Sequence, residues 1–147
     1  MFKKFIFLVI LIVAGVLVYN FKKIRYIPAL VECNMGESEV CLKKGKYYLS
    51  KSDSYNDLFI GATLLDKGCG YESPESCARI GQFLMKKEGT INEAKVYLSK
   101  ACKLRSKAGC FGLGMIYEEV LKEKEKAQNA YDKSCSFGFK PACDIKL

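Results

Sequence analysis

Eight cysteines are the residues in this chain best placed to do chemistry. They fall as Cys33/Cys41, Cys69/Cys77, Cys102/Cys110 and Cys135/Cys143, with seven residues inside each pair. First cysteines are 36, 33 and 33 residues apart. Three chemistries compete for them. Structural zinc sites favour cysteines two to four apart, often with histidine; that spacing is absent and the chain has no histidine. A reactive thiol wants a C-x-x-C motif or a histidine to lower its pKa, and neither is present. Disulfides remain. Eight cysteines permit 105 pairings, but a fixed C-x7-C makes pairing within each unit the simplest. Closing so small a loop contributes about 2–3 kcal/mol in the chain-entropy account.

A period near 33 residues is the mark of a stacked helical repeat, and the residues around the cysteines share one register. Gly45, Gly81 and Gly114 lie four after the second cysteine. Gly61, Ala94 and Ala127 lie eight before the first, and Leu64–Leu65, Tyr97–Leu98 and Ala130–Tyr131 lie five and four before it. Large apolar residues at helical spacing make a buried face. A small residue at a fixed register lets a neighbouring helix approach; glycine costs about 1 kcal/mol in a helix, so its recurrence implies a packing purpose. Gly45, Gly81, Ala94, Gly114 and Ala127 are therefore expected to be repeat-packing positions.

These elements define an all-α chain without strands. A helix runs to about Leu49, and the Ser52–Ser54 stretch breaks it and caps the next, over 55–68. Ser73-Pro74 starts a helix over 74–87, with proline in its first turn. Thr90-Ile91-Asn92-Glu93 has the form of a capping box opening a helix over 92–104. Further helices are expected from Lys107 to at least Val120 and over 124–136, with a last turn at Pro141. Residues 24–31 read as a connector, because Pro28 forbids a long helix through them. Tyr47, Tyr48, Tyr97, Tyr117 and Tyr131 sit at helical spacing and read mostly as core. Met85 and Met115 read as core gap-fillers. Tyr55 and Tyr71, near helix starts, read as partly exposed and open to a partner.

The pattern resembles the Sel1-like repeats, relatives of the tetratricopeptide repeat, and specifically their disulfide-containing subgroup, the Helicobacter cysteine-rich protein family. The matching stretches are LSKACKLRSKAGCFGLGMIY (98–117), AYDKSCSFGFKPAC (130–143) and LDKGCGYESPESCARIGQFL (65–84). The likeness covers residues 55–147 well and 33–50 weakly. It implies a Sel1/TPR-like α-solenoid of disulfide-stapled helix pairs that binds protein or peptide on an extended surface. It also implies penicillin binding and β-lactam hydrolysis, with a β-lactam as ligand. One departure stands out: no Gly-rich turn follows Tyr117, where EEVLKEKEKAQ runs on as charged helix formers.

The residues themselves carry no hydrolase signature. A serine β-lactamase uses S-x-x-K with K-T-G; neither occurs here. Ser50-Lys51 and Ser99-Lys100 are adjacent, and adjacent helix positions do not face each other. No catalytic residue, metal or cofactor is assigned.

Net charge is +8, but five of the 24 basic residues and none of the 16 acidic ones fall within residues 1–25. The remainder is close to balanced, which argues against a nucleic-acid partner. Residues 5–21 are apolar except Asn20 and flanked by lysine pairs. They are long enough, at the short limit, for an uncleaved membrane anchor; a cleaved signal peptide is the alternative. Eight cysteines in a small domain fit an oxidising compartment. The expected organisation is a membrane anchor or signal segment over 1–25, a connector and degenerate first repeat over 26–54, and repeats over 55–147. The expected location is a bacterial inner membrane, held through residues 5–21, with the repeats in the periplasm and an envelope protein or peptide as partner. Secretion is the alternative.

Overall fold

The computed structural model describes residues 6–7, 9–16, 27–51 and 54–147. Its helices are α1 (Ile27–Asn34), α2 (Ser38–Ser50), α3 (Tyr55–Gly70), α4 (Pro74–Met85), α5 (Ile91–Lys103), α6 (Lys107–Met115), a π-helical turn (Ile116–Val120), α7 (Lys124–Ser136) and α8 (Lys140–Cys143). No strand occurs among the described residues. Each helix packs on its sequence neighbour, and α4 also packs directly on α2 and α6. The result is a stack in which each helix pair buries its apolar face against the next.

Four disulfides staple this stack: Cys33–Cys41, Cys69–Cys77, Cys102–Cys110 and Cys135–Cys143, with Cα atoms 4.5–4.9 Å apart. No free cysteine remains. The first three bridges are themselves core, packed with Ile60 and Leu64, with Leu65 and Ile80, and with Leu98 and Ile116 respectively.

The turn inside each staple has one conformation. The residue three after the first cysteine is left-handed in all four: Gly36 (φ 89°), Glu72 (58°), Arg105 (65°) and Gly138 (88°). Its N–H bonds back to the cysteine carbonyl. In the last three turns the next N–H reaches the carbonyl of the residue before that cysteine. This is a Schellman-type stop, which satisfies carbonyls the helix end leaves open. In α4 and α6 a serine then starts the partner helix: Ser73 accepts from the Ser76 N–H and Ser106 from the Gly109 N–H. Ser54 caps α3 in the same manner, accepting from Asn56.

Two expectations change. Residues 27–31, expected as connector, belong to α1. Pro28 is compatible because it lies in the first turn, where its missing N–H has no intrahelical acceptor. The capping box at Thr90 does not form; the Thr90 hydroxyl donates instead to the Leu84 and Lys87 carbonyls at 2.7 and 3.0 Å, closing α4 rather than opening α5. The break expected between Val120 and Lys124 is present. The helix widens over Ile116–Val120, then breaks at left-handed Lys122, with the Glu123 N–H bonded to the Tyr117 carbonyl at 2.8 Å. This break returns α7 onto α6.

The stretch 5–21 lies only partly within the described residues. Residues 6–7 and 9–16 are helical and exposed. No described helix is long and apolar enough to cross a membrane.

Candidate binding surface

The small residues set the spacing of the stack. A Cβ built on Gly45 would lie 2.7 Å from Leu65 Cγ, one on Gly81 2.6 Å from Leu98 Cγ, and one on Gly114 2.5 Å from the Tyr131 ring. The same register thus receives the same neighbour position three times. Ala94 and Ala127 are fully buried. Their counterpart Gly61 would place a Cβ 2.9 Å from the Leu49 backbone nitrogen, so alanine does not fit there without movement.

With the helices this close, α2, α4 and α6 form one continuous face. A groove of about 590 Å³ crosses it. Its floor is apolar and soft: Leu49 from α2, Phe83 and Met85 from α4, and Phe111 and Met115 from α6. Arg79 and Lys86, both exposed, stand on its rim, with Gln82 between them in sequence. Met85 and Met115, expected as core gap-fillers, are half-buried: they pack against the core and also line this groove. Methionine suits a surface that must adapt to its partner. Phe111 is held from behind by Phe139, with ring centroids 4.8 Å apart, and by Tyr131 at 5.5 Å.

The groove holds no serine, threonine, histidine or carboxylate. A second cavity, of about 430 Å³ beside α7, is lined by Tyr117, Glu125, Lys126, Asn129 and Lys133 among others, and holds no serine, threonine or histidine. Ser106 is spent as a helix cap, and Ser134 donates to the Lys107 carbonyl at 2.8 Å. Among the described residues no cluster could hold a metal ion. Two tyrosines have raised pKa values: Tyr97, pushed up to about 12 by burial and then by its 2.7 Å hydrogen bond to Asp66, and Tyr131, raised further by burial and then by Glu118. Both hold their protons more tightly, the reverse of what a nucleophile needs.

The remaining tyrosines divide. Tyr48 and Tyr117 are half-buried, whereas Tyr47 is 51% exposed. Tyr55 is 79% exposed, and Tyr71 points its hydroxyl at the Asn34 carbonyl, 3.5 Å away. What sequence reasoning missed is the groove itself. Its signal was present in the register: Arg79, Gln82 and Lys86 are polar on the α4 face that also carries Phe83.

No protein-family model matches the chain, and no curated protein matches it. Solved structures do. A Sel1 repeat protein from Oxalobacter formigenes superposes with a TM-score of 0.62 at 18% identity over 74% of this chain. The chain spans about half of that protein's length, 47%. Helicobacter pylori cysteine rich protein B superposes with a TM-score of 0.59 at 28% identity, over 85% of this chain and 92% of that one. With its helix pairs, its small-residue register and its staples in place, the chain has the Sel1-like repeat fold, as a solenoid of disulfide-linked helix pairs similar to the cysteine rich protein of Helicobacter pylori.

Proposed function

We propose that this chain is an extracytoplasmic binding module that holds an extended segment of protein or peptide on the α2–α4–α6 face. The observation that carries this reading is the groove: an open, apolar, aromatic- and methionine-lined channel spanning three alternate helices, without a nucleophile–base pair. Binding sites are mostly apolar with a few placed polar groups, which describes its Phe83, Phe111 and Met115 floor and its Arg79 and Lys86 rim. Four disulfides and the likeness to a cysteine rich protein suggest an oxidising environment outside the cytoplasm. Residues 5–21 would tether the module to the inner membrane, which makes an envelope protein or peptide the natural client.

A photo-crosslinking amino acid at Phe83, in the groove, compared with one at Val96, 67% exposed on α5, tests the reading in cells. A discrete adduct from position 83 and none from 96 is expected. Equal labelling from both would remove the groove as the binding surface. The β-lactamase activity implied by the family resemblance is tested alongside, with a chromogenic β-lactam and the oxidised protein. Turnover proportional to protein, and lost on reduction, would displace the binding reading.

A further inference from the structure

The α2–α4–α6 face that carries the groove is not uniform, and the repeat register makes the gradient visible. Two residues after the second cysteine stand Lys43, Arg79 and Gly112 on α2, α4 and α6. Five after it stand Lys46, Gln82 and Met115. Equivalent positions on parallel helices line up across the face. The face passes from cationic on α2, where Lys43 and Lys46 lie beyond the groove lining and Leu49 enters it, through mixed on α4, to apolar on α6. Lys43, Lys46 and Arg79 are all exposed, whereas Gly112 is buried and Met115 half-buried. Phe111 completes the apolar end.

We infer that the groove takes an extended peptide segment that is acidic at one end and apolar at the other, with its carboxylates over α2 and α4 and its apolar side chains over α6. This rests on the binding-module reading above and names the chemistry of its partner. Complementarity of charge is the argument. An arginine fork matches a carboxylate in a bidentate manner, and several cations on one rim attract an acidic segment before contact. Glu75 is the one carboxylate already in place, 3.2 Å from Arg79 Nε, but outside the groove lining. Both partners of that pair are more than 40% exposed, and exposed i,i+4 pairs are weak enough for an incoming carboxylate to compete. At the other end, the lining residues that α6 supplies, Phe111, Gly112 and Met115, carry no charge.

Selection from a displayed library of random peptides against the oxidised full chain in detergent micelles tests this. Enriched peptides should carry Asp or Glu toward one end and Leu, Phe or Met toward the other. Their binding should weaken with added salt. Joint Arg79→Glu and Lys86→Glu substitution, at exposed positions, should lower affinity about tenfold or more. Met115→Asp should lower it as well while leaving the acidic preference unchanged. Enrichment of neutral or basic peptides, or affinity indifferent to the Arg79 and Lys86 reversals, overturns the charge polarity but leaves a binding groove. No enriched peptide, or binding unaffected by any of the three groove substitutions, overturns the binding-module reading itself.

Discussion

The Tyr131 hydroxyl donates a 2.6 Å hydrogen bond to the Glu118 carboxylate, tying α7 to the π-helical turn that closes α6. The same ring rests on Gly114, at the place where a Cβ would stand. One side chain therefore fixes both the approach of the two helices and the break that joins them.

This bond and its counterpart, Tyr97 to Asp66, make stability fall at alkaline pH. An unfolded tyrosine titrates near 10, whereas Tyr97 is pushed up to about 12. Tyr131 is raised too, by burial first and by Glu118 second. Because the folded state holds the proton more tightly, the stabilisation is complete below the unfolded value. It is lost as pH rises from there through the folded value, about 12 for Tyr97. Urea midpoints measured at about pH 9 and pH 11 should differ, and Tyr97→Phe should reduce the difference. An unchanged difference in Tyr97→Phe would mean that other groups cause it.

Gly81→Ala should destabilise the protein, and Gly70→Ala should not. At Gly81 the new Cβ meets Leu98 Cγ at 2.6 Å and its backbone nitrogen at 3.2 Å. Overpacking of this kind costs about 1–3 kcal/mol, more than the roughly 1 kcal/mol alanine returns in helix propensity. At Gly70 a Cβ meets nothing within 4 Å, so the propensity gain stands alone. Thermal midpoints of the two variants should move in opposite directions. A stabilised Gly81→Ala would show that Leu98 can yield at no cost.

Glu72→Gly should stabilise the protein. Glu72 occupies φ 58°, a conformation that costs a side-chain-bearing residue about 1 kcal/mol and glycine almost nothing. Greater freedom of glycine in the unfolded chain returns part of that, leaving a gain of a few tenths of a kcal/mol. Chemical denaturation of Glu72→Gly against wild type measures it; a clear loss would mean that the Glu72 side chain makes a stabilising contact.

The four staples should not reduce together. Cys143 is exposed and Cys135 half-buried, whereas the other six cysteines are at most 8% exposed. Thiolate attack requires access. Limiting reductant followed by alkylation and peptide mass analysis should label Cys135 and Cys143 first, with helicity largely kept. Full reduction, removing about 2–3 kcal/mol per bridge, should unfold the stack. Earlier labelling of Cys69 and Cys77 would show that local opening, not static exposure, governs reduction.

The amino-acid sequence by itself determined the helical class, the repeat period and the presence of disulfide-linked helix pairs. Each is written in local chemistry: cysteines a fixed seven residues apart, apolar residues at helical spacing, and Ser73 followed by Pro74 at a helix start. Only the tertiary structure decided the rest. Glu72 and Arg105 are left-handed although neither is glycine, because the staple and the two back-bonded N–H groups hold the turn; Gly36 and Gly138 at the same register were the one hint. Thr90 has the form of a cap yet bonds backwards, because the carbonyls at the end of α4 lie within reach of its hydroxyl. Pro28 begins a helix rather than interrupting one, since its place in the first turn was set by where α1 packs. Met85 and Met115 look like core in any window of sequence. They face a groove because α2, α4 and α6 pack side by side, and which flank of a helix remains open depends on its neighbours rather than on its own residues.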